Sequence, residues 1–215
     1  MENVAVLAIT KNGIKIGEKL KELYPNWDIF APEKLSNQNK QIVWYSDGTT
    51  NKIIELFKNS NALICLFSLG AVIRLIAPHL KDKKTDPAVI VIDDKTNFVI
   101  SVLSGHIGGA NELTQEISQK LNALPVITTA ADVNKTIAVD LVGKEFGWKI
   151  DDDSNVTRIS AFMVNKEKIG VFQNIGKKEW WKGKLPENIK FFSKIEDLKD
   201  SDSKGYLIIT NDQIN

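Results

Sequence analysis

The strongest constraint on the fold of this 215-residue chain is a series of short apolar runs: Val4–Ile9, Ala62–Phe67, Val89–Ile92, Phe98–Leu103 and Val126–Thr128. Each is too short for a helix, most are rich in Val and Ile, and they are apolar on both faces. Central strands of a covered sheet have that character. Helical patterns alternate with them. Ala110, Leu113, Ile117 and Leu121 recur every three or four residues and form one stripe, which leaves Asn111, Glu112, Gln115 and Gln119 on the outer face. Ile53, Ile54 and Phe57 mark a second helix, and Ile14, Leu20 and Leu23 a third. "DDKTN" at 93–97 reads as a hairpin turn, so one strand pair is antiparallel. The expectation is an α/β fold with a doubly wound, mixed and mostly parallel sheet over residues 1–131.

From Asp132 the texture changes. Ile137–Phe146 and Val156–Val164 read as helices, and Ile169–Gln173, Ile189–Phe192 and Tyr206–Thr210 as strands. Residues 132–215 are expected to form a second, smaller α/β domain. A formal net charge of +1 gives no general attraction for nucleic acid or for an anionic membrane, and neither is expected as a partner. No apolar run approaches the roughly 20 residues that span a bilayer. The N-terminal "MENVAVLAITKNG" carries no secretory pattern. The single cysteine, Cys65 in "ALICLF", reads as an inert core thiol, and with two histidines it cannot build a His/Cys zinc cage. A cytoplasmic protein is the expectation.

Ligands of open α/β sheets bind beyond the carboxyl ends of the strands. Four expected strands end in small, polar or glycine-containing corners: "TKNG" at 10–13, "SLG" at 68–70, "SGHIGG" at 104–109 and "TTAAD" at 128–132. If those strands run parallel, all four corners share one edge. In the third corner the spacing is G-x-x-G-G, which fits neither a dinucleotide fingerprint nor a P-loop. What it offers is close approach of backbone at Gly105, Gly108 and Gly109, with a helix N-terminus behind them whose N–H groups suit a carboxylate or oxyanion. Ser104 and Asn111 flank it. His106 inside the turn is either a general base or a turn-stabilising residue, and spacing leaves both open. Thr128 and Thr129 either orient water or substrate or reflect the propensity of threonine at a strand end, and the sequence leaves both open. Arg74 in "AVIRLIAP" suits a carboxylate, or else a salt bridge to Asp82 or Asp86.

Three segments, "GAVIRLIAPHLKDKKTDPAVIVIDD", "VISVLSGHIGGANELTQEIS" and "LPVITTAADVN", resemble in order and spacing the CbiG family of cobalamin biosynthesis. The resemblance is dense over residues 68–134. It implies the activity of a cobalt-precorrin-5A hydrolase in the anaerobic pathway. The δ-lactone of a ring-contracted cobalt tetrapyrrole is opened, acetaldehyde is released, and cobalt-precorrin-5B is formed. It further implies His106, Thr129 and Asp132 as catalytic candidates, with His106 foremost as base. The Gly108 and Gly109 amides would be donors to an oxyanion or carboxylate. Arg74, Ser104, Gly105, Asn111 and Thr128 would join them in binding the polycarboxylate ring. No cofactor or protein-bound metal is expected, because the cobalt arrives in the substrate. Other enzymes of the corrin pathway are candidate partners, and a two-fold homodimer is expected from the habit of small α/β enzymes. The alternative function is a non-catalytic tetrapyrrole carrier. Many family members continue past the equivalent of "YLIIT" into a further domain, so this sequence is expected to be a fragment or to work with that domain as a separate polypeptide.

Overall fold

A computed structural model describes residues 1–151, 153–181 and 184–212. The chain divides into two compact units, Met1–Ile127 and Thr128–Asn215.

The first unit is built on seven strands: β1 Val4–Ala8, β2 Asp28–Pro32, β3 Ile42–Tyr45, β4 Ala62–Leu66, β5 Ala88–Ile92, β6 Phe98–Leu103 and β7 Leu124–Val126, in the spatial order β3-β2-β1-β4-β5-β6-β7. The first five run parallel, β6 is antiparallel to β5, and β7 is parallel to β6. Helices α1 Lys11–Leu23 and α4 Ala110–Leu121 cover one face, where Ile14, Leu20, Leu113 and Ile117 pack on Val6, Ile64 and Ile90. Helices α2 Thr49–Asn59 and α3 Leu69–Ile76 cover the other, where Ile53, Phe57 and Val72 pack on Leu7, Leu63 and Val91. The sheet is therefore doubly wound and mixed, mostly parallel. Alternate residues of β1 and β4 enter opposite cores, which is why both strands are apolar throughout.

Two strands escaped the sequence reading. β2 and β3 are short, carry exposed positions at Asp28 and Val43, and lie at the outer end of the sheet. Their apolar stretches, Ile29–Pro32 and Ile42–Tyr45, are brief and lie among polar residues. The last strand also sits earlier than expected, at Leu124–Val126 rather than Val126–Thr128, so Thr128 is outside the sheet. The hairpin at 93–97 is as read. Asp93 Oδ1 accepts the Phe98 amide at 2.6 Å and the Asp93 carbonyl accepts the Thr96 amide at 2.9 Å, turning the chain back between β5 and β6.

The second unit holds a parallel three-stranded sheet among the described residues, β8 Ile169–Gln173, β9 Ile189–Phe192 and β10 Gly205–Ile209, in the order β10-β8-β9. With it are helices α5 Ala130–Val133, α6 Asp153–Val164 and α7 Ile195–Lys199. Its core joins Ile137, Val139, Met163, Ile169, Val171, Trp180 and Leu207. The helix expected over Ile137–Phe146 is instead two 3-10 turns, Val139–Leu141 and Lys144–Phe146. Gly143 between them is left-handed (φ 71°), which breaks an α-helical ladder, and its bare Cα lies against the Trp148 indole.

Candidate functional site

The direction of β6 decides what the corners can form. Residues 10–13 and 68–70 follow β1 and β4 at the carboxyl edge of the parallel strands, and α1 and α3 leave them toward opposite faces. Residues 104–109 follow β6, which runs the other way: Leu103 pairs with Val89, near the start of β5. The Ser104 hydroxyl accordingly donates to the Asp86 carbonyl at 2.9 Å, just ahead of β5. The four corners do not share one edge. The tight hairpin at 93–97 forces the reversal, and the glycine-rich corner belongs to a β6–α4–β7 unit of opposite sense.

At the carboxyl edge the polar groups are engaged with one another. The Thr10 hydroxyl caps α1 by accepting the Gly13 amide at 2.9 Å and donates to Asp94 Oδ1 at 3.3 Å, while the Asn12 carboxamide donates to the Asp94 carbonyl. Arg74 is exposed, leans back on the Gly70 carbonyl at 3.4 Å, and makes no ion pair among the described residues. Its expected partner Asp86 instead accepts the Lys81 amide, at 3.0 and 3.2 Å. A five-residue strand is about 17 Å long, so Arg74 is not brought to the glycine-rich corner.

That corner is half-buried throughout and closes on itself. The Gly109 amide donates to the His106 carbonyl at 3.0 Å, the Ala110 amide to the Ser104 carbonyl at 3.2 Å and the Asn111 amide to the Gly105 carbonyl at 3.0 Å. The first amides of α4, expected to be free for an anion, are thus committed to the corner's own carbonyls. Among the described residues the Gly108 amide carries no such bond. A side chain at Gly108 would strike the Ser104 side chain and lie 2.7 Å from its carbonyl oxygen. Ser104 is held left-handed at φ 56°, a conformation that costs a non-glycine residue about 1–2 kcal/mol. Strain of this kind persists where surrounding structure over-determines it.

Asn111 departs most from its expected place. It faces inward, only 5% exposed, and accepts the Ser101 hydroxyl on β6 at 2.6 Å. The buried face of α4 is wider than four residues and takes in three polar ones, Asn111, Thr114 and Ser118, of which Asn111 bonds to β6. Sequence periodicity offered no signal for Ser101 itself. Ser104, Gly105, His106, Gly108, Gly109 and Asn111 are therefore brought together.

Thr128, Thr129 and Asp132 open the second unit. Thr129 precedes α5, and its carbonyl accepts the Val133 amide at 3.1 Å; the Asp132 carbonyl accepts the Lys135 amide at the same distance. Cys65 is fully buried in β4, and burial pushes its thiol up, which keeps it protonated and unreactive. Among the described residues no three His, Cys, Asp or Glu side chains gather as metal ligands, and no helix is long and apolar enough to cross a membrane.

The family described as cobalamin synthesis G N-terminal matches residues 51–132, and cobalamin biosynthesis central region matches residues 137–215. A protein named cobalt-precorrin-5A hydrolase from Priestia megaterium is 49% identical over 96% of this chain and 57% of its own length. One of the same name from Salmonella typhimurium is 33% identical over 92% of this chain and 55% of its own length. The crystal structure of a cobalamin biosynthesis protein G homolog from Sulfolobus solfataricus aligns with a TM-score of 0.50 at 24% identity, covering 96% of this chain and 59% of that one, a likeness of fold. The chain spans little more than half the length of these relatives. Taken with the two family matches, which meet near the boundary between the structural units, these likenesses show that the chain belongs to the CbiG family of cobalamin biosynthesis.

Proposed function

We propose that this chain acts on cobalt-precorrin-5A as a hydrolase, opening the δ-lactone and releasing acetaldehyde to leave cobalt-precorrin-5B. The observation that carries the reading is the 49% identity, over nearly the whole chain, to a protein named for that activity. The corner at 104–109 supplies a place for the chemistry. Water adds to the lactone carbonyl as His106 accepts its proton, and the acyl C–O bond then breaks. The alkoxide so freed collapses to acetaldehyde, the C–C bond to the ring breaks, and the macrocycle takes up the electron pair. The Gly108 amide is the corner donor for the developing oxyanion, since the Gly109 amide is engaged with His106. The cobalt belongs to the substrate in this reading. Arg74, at the other edge, has no part in it. Thr128, Thr129 and Asp132 remain candidates for water and substrate orientation.

The test is anaerobic turnover of cobalt-precorrin-5A with acetaldehyde trapped and quantified, for the wild type and His106→Ala. Release by the wild type, reduced about 100-fold or more in the variant, is the expected result. Equal release from both keeps the hydrolase and removes His106 as base. A folded wild type that shifts the corrinoid spectrum yet releases nothing is a carrier, and hydrolysis by this chain is then wrong.

A further inference from the structure

We propose that Asn111 is a positioning residue for His106, acting through the corner rather than on substrate. The inference rests on assigning the corner at 104–109 to the reaction. Contacts with β6 and with both ends of the corner's first turn converge on this one residue. Its Oδ1 accepts the Ser101 hydroxyl at 2.6 Å, which ties it to β6. Its backbone amide donates to the Gly105 carbonyl at 3.0 Å, which ties the start of α4 to the start of the corner. Its carboxamide lies flat against Gly105: a Cβ there would stand 2.7 Å from Oδ1 and 3.0 Å from Nδ2. Gly105 is the residue immediately before His106, so the plane of the carboxamide fixes the peptide from which the imidazole projects.

Burial separates this role from substrate contact. Asn111 is 5% exposed, among Ala110, Leu113 and Ile117, and a macrocycle lying on the corner cannot reach it. A buried carboxamide is unfavourable unless bonded, and an apolar side chain of similar volume would suit that core better. What an apolar side chain cannot do is accept the Ser101 proton while lying against Gly105. The polar residue therefore serves geometry, and misplacement of a catalytic group by about 1 Å is enough to cost about 100-fold in rate.

The chain has two histidines, so labelling at histidine gives two sets of imidazole signals, with His79 as internal control. The experiment compares the wild type, Asn111→Leu and Ser101→Ala by NMR across pH, and by acetaldehyde release. The expected result is that both variants shift the His106 signals and their titration midpoint and leave those of His79 in place. Their kcat is expected to fall about 10- to 100-fold with KM within about twofold. Ser101→Ala, which deletes one hydroxyl, keeps the test decisive where Asn111→Leu does not fold. Unmoved His106 signals in folded variants overturn the proposal and leave Asn111 a packing residue. Moved His106 signals in a protein whose wild type releases no acetaldehyde support the positioning role and remove the hydrolase reading instead.

Discussion

The two edges of the seven-stranded sheet are built by different means. At the carboxyl edge, side chains fasten loops to each other: Thr10 and Asn12 hold Asp94, and Thr10 caps α1. At the edge reached by β6, backbone packs on backbone beside the Ser104–Asp86 and Ser101–Asn111 ties, with Gly108 under Ser104 and three successive amides bonded to corner carbonyls. A backbone corner has no slack, because any added atom displaces the chain itself. Placement of a reacting group asks for the second kind of construction.

The sharpest way to break this comparison is Gly108→Ala. The added methyl cannot fit beside Ser104, and overpacking of this kind is expected to cost about 3 kcal/mol, read as a lowered urea midpoint with an unchanged slope. A stability equal to wild type would mean that the corner yields after all. Next in size is Thr10→Ala at the other edge. Loss of the cap is expected to cost about 1 kcal/mol by the same measurement. A cost as large as that of Gly108→Ala would erase the distinction between the edges. The smallest effect sharpens it: Gly70→Ala places a methyl 3.5 Å from the Arg74 guanidinium, an ordinary contact, inside α3. There alanine is expected to raise stability by about 0.5–1 kcal/mol.

Much of this was legible from the residues. Doubly covered strands such as β4 announce themselves through unbroken apolar runs, and the α4 stripe through its spacing. The hairpin "DDKTN" was legible too, and it already contained the reversal that separates the corners. The rule that ligands gather at one edge of a parallel sheet does not reach the glycine-rich corner, because that local turn reverses β6. β2 and β3 were hidden because their apolar stretches are brief and set among polar residues, and the 3-10 turns around Gly143 because apolar content there imitates a helix. Of the candidate site, the glycines and His106 stand out as types. The Ser101–Asn111 bond does not, since it depends on how α4 is rotated over β6, which no single segment encodes.

The short strand β7 reads Leu-Pro-Val and forms the outer margin of the sheet. Leu124 turns its amide inward, to the Asn97 carbonyl at 2.8 Å, so the next residue, Pro125, faces outward. Proline has no amide hydrogen to give. A strand arriving from a neighbouring molecule would meet a carbonyl and no donor at the middle of this margin, so the sheet ends where it does and resists growing into an aggregate.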